Sequence, residues 1–439
     1  MSGNTSSGGS TTAGQTSGAD VFDVVIVGAG AAGLATAIFA RRGNPDIRVT
    51  LLEGARQPGA KILVSGGSRC NVTNAVVAEA DFNSGRPSVV RRVLRALPVD
   101  DTVKFFAGLG VSLHEEPNGK LFPDTNRSRD VLNALLAEVS RLGVDLRAGT
   151  RVTSIVRDAG MFRVTTSTGA LTAQAVVLAT GGLSLPKTGS DGWGYTAATA
   201  LGHSIVPTTP ALAPLLIDSA ADRSIHGRLS GVSMPVRLDV RVDGSVSTRL
   251  DGAMLWTHFG VSGPVAMDAS RHWLRARLEG RDVQVTASLC PGETFESLER
   301  DWVDAVRDRP RATVLSTLSS QLPASVASAL FARLGIADDL ALARLTREDR
   351  RRLIHALLAW PLAVVDSRGY NYAEATAGGV PLDEIDPSTM ASRRCPGLFL
   401  VGEILDVDGR IGGFNFQWAW SSARVAGQAL ARRRSAGAS

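Results

Sequence analysis

The sequence predicts an α/β protein in which a dinucleotide-binding domain with a parallel sheet is interrupted by an insertion of strands and helices. Three observations lead to this fold class. The chain begins with a strand–helix–strand pattern around a glycine-rich turn, its middle is first strand-like and then helical, and near its end a buried strand again meets glycines and a helix. We therefore expect a binding domain over 21–206 and 362–432, a β-rich insertion over 207–292 and a helical insertion over 293–361.

The ends of the chain and its composition set further bounds. Residues 1–20 are almost all Gly, Ser, Thr and Ala, without the features of a signal peptide, so we expect a disordered tail there and a second one over 433–439. No apolar run approaches the roughly 20 residues that cross a bilayer, so no membrane partner is expected. Cys70, Cys290 and Cys395 lie far apart and form no CxxC pair, which indicates a reducing, cytoplasmic setting.

The elements of the first half follow in order from their patterns. A short apolar run over Val21–Val27 predicts a buried parallel strand, residues 31–42 predict a helix that ends at Gly43, and residues 47–53 predict the next strand. These three elements form a βαβ unit. Beyond them we expect helices within 89–109 and over 129–142, a hairpin over 111–122, and strands over 150–157, 161–166 and 171–179.

The second half contains the insertion and the return to the first domain. Prolines over 207–214 suit a stiff, extended exit from that domain. The later elements are strands over 236–242 and around 283–285, a helical region over 293–359, a buried strand over 398–401 and a helix over 417–432.

The strongest motif is the turn Gly28-Ala29-Gly30-Ala31-Ala32-Gly33, which follows a strand and opens a helix. The first glycine permits the tight turn, the second lets the backbone approach a pyrophosphate, and the third lets helix and strand pack closely. The helix amides and dipole then face the phosphates, and an acid at the end of the next strand can accept hydrogen bonds from a ribose. The predicted binding residues of this unit are Gly28, Gly30, Ala31, Ala32, Gly33, Glu53 and Gly54.

A second glycine-rich segment, near the C-terminus, favours FAD over NAD. Gly402 and Glu403 follow a buried strand, and residues 412–415 precede a helix. Glycines there would let the backbone approach a ring or a ribitol, and the helix amides would stabilise negative charge on a reduced flavin. Considered alone, the segment fits an ordinary glycine-rich strand–helix turn better than a flavin site.

Six stretches of the chain resemble a known family. They are DVVIVGAGAAGLATA (23–37), GAKILVSGGSRCNVTN (59–74), ATGGLSLPKTGSDGWGY (179–195), LWTHFGVSGP (255–264), YNYAEATAGGV (370–380) and GLFLVGEILDVDGRIGGFNFQWAWSSARVAG (397–427). Over residues 22–431 the chain is similar to bacterial NAD(P)/FAD-dependent flavoproteins that include dehydro-bile-acid reductases and proteins described as aminoacetone oxidases. It is more remotely similar to fumarate-reductase-type flavoproteins. The second and sixth stretches are long and specific, whereas the glycine turn is shared far more widely.

The resemblance implies a Rossmann-like FAD-binding domain of the glutathione-reductase/fumarate-reductase type, interrupted by a β-barrel-like and helical insertion. It implies that FAD is held non-covalently. The contacts that it implies are Lys61, Ser65, Gly66 and Gly67 beside the flavin, the Val152 backbone at the adenine, Thr180 and Gly181 near the ribose and phosphates, Glu403 near the ribitol or diphosphate, and Gly413, Phe414 and Asn415 at the flavin ring. Ser68 departs from the family, where a third glycine is more frequent, and we expect little effect because serine is small.

The candidates for substrate chemistry are Arg69 and His258. Arg69 follows the loop expected along the flavin, where it would clamp a carboxylate, polarise a carbonyl, or merely support the loop or a phosphate. His258 lies in the insertion and fits either a general acid or base or a packing residue beside aromatic rings. Cys70 has no partner cysteine and fits a small buried residue. We find no motif for a metal site, a P-loop or a nucleophilic serine.

These observations predict an FAD-dependent oxidoreductase that moves a hydride through flavin N5 to or from a small organic molecule. The preferred reaction is NAD(P)H-linked reduction of an activated double bond; since no second GxGxxG occurs, NAD(P)H would visit the flavin site itself or a shallow surface. The alternatives are an oxygen-dependent amine oxidase of the aminoacetone type, a tRNA-associated flavoprotein, and a flavin sensor without turnover. The net charge of +5 comes from scattered arginines, so nucleic acid is not the expected partner.

Overall fold

The computed structural model describes residues 21–218 and 227–433. The tail predicted over 1–20 lies outside the described residues, as do residues 434–439 of the second predicted tail. The strands of the first half are β1 (Val21–Val27), β2 (Val49–Leu52), β3 (Thr73–Asn74), β4 (Phe82–Asn83), β5 (Leu113–Glu116), β6 (Lys120–Pro123), β7 (Asp145–Arg147), β8 (Val152–Asp158), β9 (Met161–Thr166) and β10 (Gly169–Leu178). Its helices are α1 (Ala31–Gly43), α2 (Ala60–Ser68), α3 (Pro87–Leu94), α4 (Val99–Gly108), α5 (Ser128–Arg141) and α6 (Trp193–Ala200).

The second half adds shorter strands and a group of helices. The strands are β11 (Val206–Ala211), β12 (Leu215–Ile217), β13 (Ser233–Val242), β14 (Ser245–Thr257), β15 (Gly260–Ser262), β16 (Val283–Ser288), β17 (Trp360–Leu362), β18 (Val364–Ser367), β19 (Ala375–Gly379), β20 (Ile385–Asp386), β21 (Ala391–Ser392), β22 (Leu398–Leu400) and β23 (Asp408–Gly409). The helices are α7 (Pro264–Leu278), α8 (Phe295–Asp308), α9 (Val314–Leu318), α10 (Ala324–Leu334), α11 (Arg347–Leu358) and α12 (Phe414–Ala431). Among the described helices, none is long and apolar enough to span a bilayer.

The main sheet is built from strands of both ends of the chain. Its order is β20-β21-β22-β10-β1-β2-β7, and β9 pairs with β10 and carries β8. β1 pairs in parallel with β2 and β10, and β10 pairs in parallel with β22. Val25 and Ile26 in the central strand are fully buried, as the continuous apolar run predicts for a parallel strand. The C-terminal segment therefore completes the sheet that the N-terminal segment begins.

Helices α1 and α12 meet at close range beside this sheet. A Cβ at Gly427 would lie 2.6 Å from the Cβ of Phe39, so only glycine permits the approach. Trp418 is buried and its Nε1–H donates to the carbonyl oxygen of Gly402 at 3.1 Å. This packing fixes the start of α12 relative to the turn between β1 and α1.

The insertion is a seven-stranded antiparallel sheet with helices packed on it. The strand order is β17-β16-β13-β14-β15-β12-β18. The edge strands β17 and β18 are separated in sequence only by Ala363, so the two edges lie close together, as in the predicted barrel-like form. The second core of the protein contains side chains of this sheet and of the helices that follow it, among them Trp302 and Leu353. The insertion extends to Ser367, the last residue of β18, because β18 pairs with β12 in the sheet of the insertion. We had predicted that the chain re-enters the first domain at residue 362.

Candidate functional site

A deep cleft of about 430 Å³ follows the carboxyl ends of the parallel strands. Gly28, Glu53, Thr180 and Gly402 line it, and they lie just beyond β1, β2, β10 and β22 respectively. This edge is where open α/β sheets bind their ligands. Leu212, near the entry into the insertion, also lines the cleft. The cleft therefore extends from the main sheet to the junction between the first domain and the insertion.

The glycines of the turn between β1 and α1 serve different steric needs. Gly28 has φ 102°, and a Cβ at this position would lie 2.5 Å from the carbonyl oxygen of Ala179. A Cβ at Gly33 would lie 1.8 Å from the carbonyl oxygen of Gly28. At Gly30, by contrast, a Cβ would meet no atom within 4 Å, and the residue lines the cleft. Because α1 begins without a side-chain cap, its first amides are left for an anionic ligand.

Glu53 is held at the end of β2 by two backbone amides. Its Oε2 accepts from the amide of Ala29 and its Oε1 from the amide of Ala55, both at 2.9 Å. The structure therefore brings the acid and the glycine turn together, as their spacing predicted. Contact with a ribose stays a prediction. Further predicted residues that line the same cleft are Ala31, Ala32, Gly54, Val152, Thr180 and Gly181.

Glu403 and Lys61 form the centre of a polar network in the wall of the cleft. The Lys61 ammonium contacts Glu403 Oε2 at 2.5 Å and also donates to the Ser184 hydroxyl. Glu403 Oε1 accepts from that hydroxyl at 2.6 Å and from the Thr376 amide at 2.9 Å. Both predicted residues line the cleft, but no pattern in the sequence indicated that they pair with each other. Ser184 and Thr376 were missed, although both lie in stretches that carry the family resemblance.

The end of α2 becomes an irregular loop along the cleft. Ser65 leaves the helical conformation, and Gly66 and Gly67 have φ 55° and 67°; all three line the cleft. Ser68 also has φ 67°, a left-handed conformation that costs a non-glycine residue roughly 1–2 kcal/mol. The frequent glycine of the family at this position therefore has a conformational reason.

The start of α12 closes the cleft opposite this loop. Gly413 has φ 95°, and a Cβ at this residue would lie 2.5 Å from the Thr73 carbonyl oxygen and 2.9 Å from Asn71 Oδ1. That Oδ1 atom is buried and has no hydrogen-bond partner within the described chain, although Asn71 lines the cleft. A buried acceptor of this kind needs a donor. An N–H group of a bound ligand would satisfy it, so the residues present fit a nucleotide cofactor with a heterocyclic ring.

Two residues that were predicted to contact the flavin ring make other contacts in the structure. Phe414 is completely buried and does not line the cleft; its ring packs edge-on against Phe82 at 6.2 Å. The Asn415 amide exchanges hydrogen bonds with the backbone N–H and C=O of Gly409, both at 2.9 Å. Asn415 still lines the cleft, but its side chain is engaged with the loop that precedes α12. The glycine-rich pattern alone could not show which way these side chains turn.

The far end of the cleft is rich in cations. Arg69 lies over the Phe122 ring at 4.1 Å and forms an ion pair with Glu116 at 2.6 Å, which holds its guanidinium in place. Lys120 and Arg410 also line the cleft. Arg69 was predicted as a site residue, whereas Lys120 and Arg410 were missed, although Arg410 lies in the sixth stretch that carries the family resemblance.

Two carboxyl groups lie near these cations. Glu374 lines the cleft, and burial raises the pKa of its carboxyl group despite the ammonium groups of Lys61 and Lys120. Asp268, on α7 of the insertion, accepts from the Ile411 amide at 2.7 Å. Burial raises the pKa of Asp268 from its ordinary 3.8 to about 6. Neither acid was predicted, because burial of a carboxyl group is a property of the folded chain.

The raised pKa of Asp268 predicts a specific pH dependence of stability. The folded protein holds this proton more tightly than the unfolded chain, so the stabilisation is present below pH 3.8 and is lost as pH rises through about 6. The Asp268→Asn variant keeps an acceptor for Ile411 but does not titrate. Between about pH 4 and pH 7 we expect the wild type to lose roughly 2 kcal/mol of unfolding free energy relative to the variant. Urea unfolding of both proteins at the two pH values checks this prediction. It would be contradicted if the difference in unfolding free energy between wild type and variant were the same at both pH values.

The structure does not bring His258 to the cleft. It is exposed at the turn between β14 and β15, with its ring edge-on to Phe259 at 5.1 Å, and it is not among the cleft-lining residues. Cys70 is completely buried, and burial raises the pKa of its thiol to about 12, which fits the small buried residue that was expected. Among the described residues, no group of three or more His, Cys, Asp and Glu side chains is placed to hold a metal ion.

Comparisons with known proteins agree with this architecture. The family model described as the HI0933-like protein Rossmann domain matches residues 22–429. The chain is 32% identical over 419 residues to the ribosomal RNA dihydrouridine synthase of Escherichia coli K12, covering 94% of this chain and 99% of the relative. It is 31% identical over 408 residues to the 3-dehydro-bile acid delta(4,6)-reductase of Clostridium scindens, covering 93% and 98%. A flavocytochrome c3 fumarate reductase structure is 16% identical with a TM-score of 0.45, covering 94% of this chain and 78% of that one.

The predicted fold class, family and enzyme class are confirmed by these matches. The match of the family model covers nearly the whole described chain, and the relatives are matched over almost their full length. The chain therefore belongs to the HI0933-like Rossmann family and is an FAD-dependent oxidoreductase.

Proposed function

We propose that this enzyme reduces a carbon–carbon double bond conjugated to a carbonyl group, with NAD(P)H as the electron donor. The observation that carries the proposal is that the cations Arg69 and Lys120 line the same cleft as the loop of Gly66 and Gly67. Bound FAD would supply the hydride. As the hydride adds, negative charge develops on the carbonyl oxygen, and fixed cations beside that oxygen stabilise it.

We assign the rest of the cleft to the cofactor. The amides of the turn between β1 and α1 would hold the pyrophosphate, because this turn combines open space at Gly30 with uncapped helix amides. Glu53 would accept from the adenosine ribose, and Asn71 would accept from the flavin ring. The other residues that we assign to FAD are Lys61, Ser65, Gly66, Gly67, Val152, Thr180, Gly181, Gly402, Glu403, Gly413 and the backbone of Asn415.

The names of the two relatives support a reductase acting on this type of bond. Dihydrouridine differs from uridine by reduction of a ring double bond conjugated to a carbonyl, and the delta(4,6) bonds of a 3-dehydro bile acid are conjugated to its 3-oxo group. The competing amine oxidase is less compatible with the site. Arg69 and Arg410 are paired with Glu116 and Asp81. In contrast, the Lys120 ammonium forms no ion pair with the described residues and would repel an alkylammonium substrate.

The direct test is anaerobic reduction of the purified yellow protein with NADH or NADPH, followed by reoxidation with 2-cyclohexenone. We expect bleaching of the flavin and then fast reoxidation by the enone. Rapid reoxidation by air alone, with peroxide release on addition of aminoacetone, would instead establish the oxidase.

Removing the cation at Lys120 should slow the enone step. For Lys120→Met we expect reoxidation by 2-cyclohexenone to fall roughly 10²-fold, the size of effect seen when one stabilising donor is removed. Reduction by NAD(P)H should be nearly unchanged. His258→Ala should leave both steps unchanged because His258 lies outside the cleft. Stopped-flow absorbance of the flavin measures both steps, and a His258 variant as slow as the Lys120 variant would contradict this assignment.

A second candidate places the double bond in a uracil base of RNA. It is favoured by an exposed stack near the cleft: the Arg368 guanidinium lies 3.4 Å from the centre of the Tyr372 ring and 4.5 Å from that of Phe259. Tyr372 is 50% exposed and lies two residues before the cleft-lining Glu374. Exposed rings backed by arginine are surfaces on which unpaired bases stack.

Ribosomal RNA decides between the two candidates. If RNA is the substrate, the NADPH-reduced enzyme should be reoxidised by ribosomal RNA, and nuclease digests should show a uridine with two added hydrogens by mass spectrometry. Tyr372→Ala should weaken this reaction but not the reduction of 2-cyclohexenone. Binding should also fall steeply with salt. Reoxidation by the enone with no change in the RNA would leave a small molecule as the substrate.

A further inference from the structure

Glu374 is a carboxylate that the fold leaves without a partner in the cleft. Its backbone amide donates to the carbonyl oxygen of Leu212 at 3.1 Å, which fixes this segment at the junction of the two cores. The residue is exposed, and it lines the open space of the cleft. It makes no hydrogen bond or ion pair with any described residue. An acidic group held only through its backbone is available to a bound substrate.

The charged groups around Glu374 come from three separate parts of the chain. Lys61 on α2 and Lys120 on β6 act on it electrostatically, and Asp268 on α7 interacts with it as well as with Arg410 and Lys120. Lys61 is already held by Glu403. Lys120, in contrast, forms no ion pair with the described residues, so a free ammonium and a free carboxyl group face the same open cleft.

We propose that Glu374 is the proton donor of the reductase, an assignment that rests on the proposed reduction of a conjugated double bond. The hydride, from reduced FAD, adds to the β-carbon of the substrate, and the electron pair of the double bond becomes an enolate. The Lys120 ammonium holds the enolate oxygen. Glu374 transfers its proton to the α-carbon, and solvent returns a proton to the carboxylate. The substrate gains one hydride and one proton, and the cofactor is oxidised by two electrons.

Burial and neighbouring charge act on the pKa of Glu374 in opposite directions. A general acid must be protonated when the substrate arrives. Burial raises the pKa of Glu374, whereas Lys61 and Lys120 lower it, and the net direction is upward. The enone step of the wild type should therefore slow as pH rises through the Glu374 pKa.

The test compares two electrophiles that differ in their need for a proton. An enone requires protonation of its enolate, whereas a nitroalkene such as 1-nitrocyclohexene accepts a hydride to form a nitronate, an anion stable without a proton. For Glu374→Gln we expect reoxidation by 2-cyclohexenone to slow at least about 10²-fold. Reoxidation by the nitroalkene and reduction by NAD(P)H should stay within a few-fold of wild type. The matched control is Glu348→Gln, the same change at an exposed site on α11, which should change neither rate.

Each outcome of this comparison decides something. Loss of the enone reaction alone supports Glu374 as the proton donor. The assignment is overturned if Glu374→Gln reacts with both electrophiles at the wild-type rates. It is also overturned if the variant still binds FAD but loses both reactions to the same extent. A wild type that reduces neither compound overturns the proposed function and the assignment with it, whatever the variant does.

A second readout does not depend on turnover. Infrared difference spectra of the protein between acidic and alkaline pH should contain the C=O stretch of a protonated carboxyl group that persists to higher pH than that of an ordinary glutamic acid. This band should be missing in Glu374→Gln and retained in Glu348→Gln. Asp268→Asn, Asp406→Asn and Asp408→Asn identify the contributions of the other carboxyl groups whose pKa burial raises. An unchanged spectrum in Glu374→Gln contradicts the proposal.

Discussion

Replacing Gly30 with alanine is expected to leave the fold intact and to weaken FAD binding. The backbone at Gly30, with φ −82°, is open to any residue, and a Cβ there meets no atom of the protein within 4 Å. The space that the methyl group would enter is the part of the cleft that we assign to the pyrophosphate. Overpacking of a filled site costs about 1–3 kcal/mol, which corresponds to a roughly 5- to 150-fold rise in the dissociation constant for FAD.

Gly33→Ala is the matched comparison, since it makes the same chemical change in the same turn. Its Cβ would lie 1.8 Å from the carbonyl oxygen of Gly28, and backbone atoms cannot give way as a side chain can. We expect this variant to lose about 3 kcal/mol or more of unfolding free energy even without FAD. Denaturant unfolding of the FAD-free proteins and fluorescence titration with FAD separate the two effects. A Gly30→Ala protein that binds FAD as tightly as wild type would place the pyrophosphate elsewhere.

Neutralising Glu403 is expected to destabilise the cleft wall itself. In Glu403→Gln the Lys61 ammonium loses its ion pair, and the amide can no longer accept all the hydrogen bonds from Lys61, Ser184 and Thr376. Both charged side chains are largely shielded, with 24% and 17% exposure. Leaving such a charge without its partner costs about 1–3 kcal/mol. We expect a loss of roughly 2 kcal/mol in the unfolding free energy of the FAD-free protein.

A double-mutant cycle isolates the ion pair from the other contacts of Glu403. Lys61→Met alone should also be destabilising, because it leaves the Glu403 carboxylate without its cation. The double variant Lys61→Met/Glu403→Gln should be more stable than the sum of the two single changes predicts, by about 1 kcal/mol. Strictly additive effects, measured by denaturant unfolding at neutral pH, would mean that the pair contributes nothing to the wall of the cleft.

The first βαβ unit could be derived from the sequence because its signals are local. The apolar run of β1, the spacing of Gly28 and Gly33, and Glu53 at the end of β2 lie within about thirty residues, so strand, turn and helix each leave a readable pattern. The long resemblance over 397–427 then supplied the returning strand and α12. Neither pattern showed that Phe414 turns into the core, because one residue at a helix start has no periodicity to read.

The substrate end of the cleft was predicted much less well. Arg69 was found because it follows a recognised loop, but Lys120 and Glu374 lie in a hairpin and in a segment before β19, far apart in sequence. His258 had the right chemistry for a general acid, yet the turn between β14 and β15 places it at the surface. The role of a charged or titratable residue depends on the groups that surround it in the folded protein. Those groups come from distant parts of the sequence.

The sequence by itself determined that this protein has a βαβ unit with a glycine turn of the dinucleotide-binding type and that its sheet is completed from the other end of the chain, because backbone geometry restricts which residues a turn, a buried strand and a helix start accept. Only the tertiary structure decided which side chains meet in the cleft. Glu403 finds Lys61, and Glu374 comes to face Lys120, across several hundred residues of sequence. Charge–charge interactions depend on distance in space and on burial, and neither quantity is encoded in the order of the residues near each group.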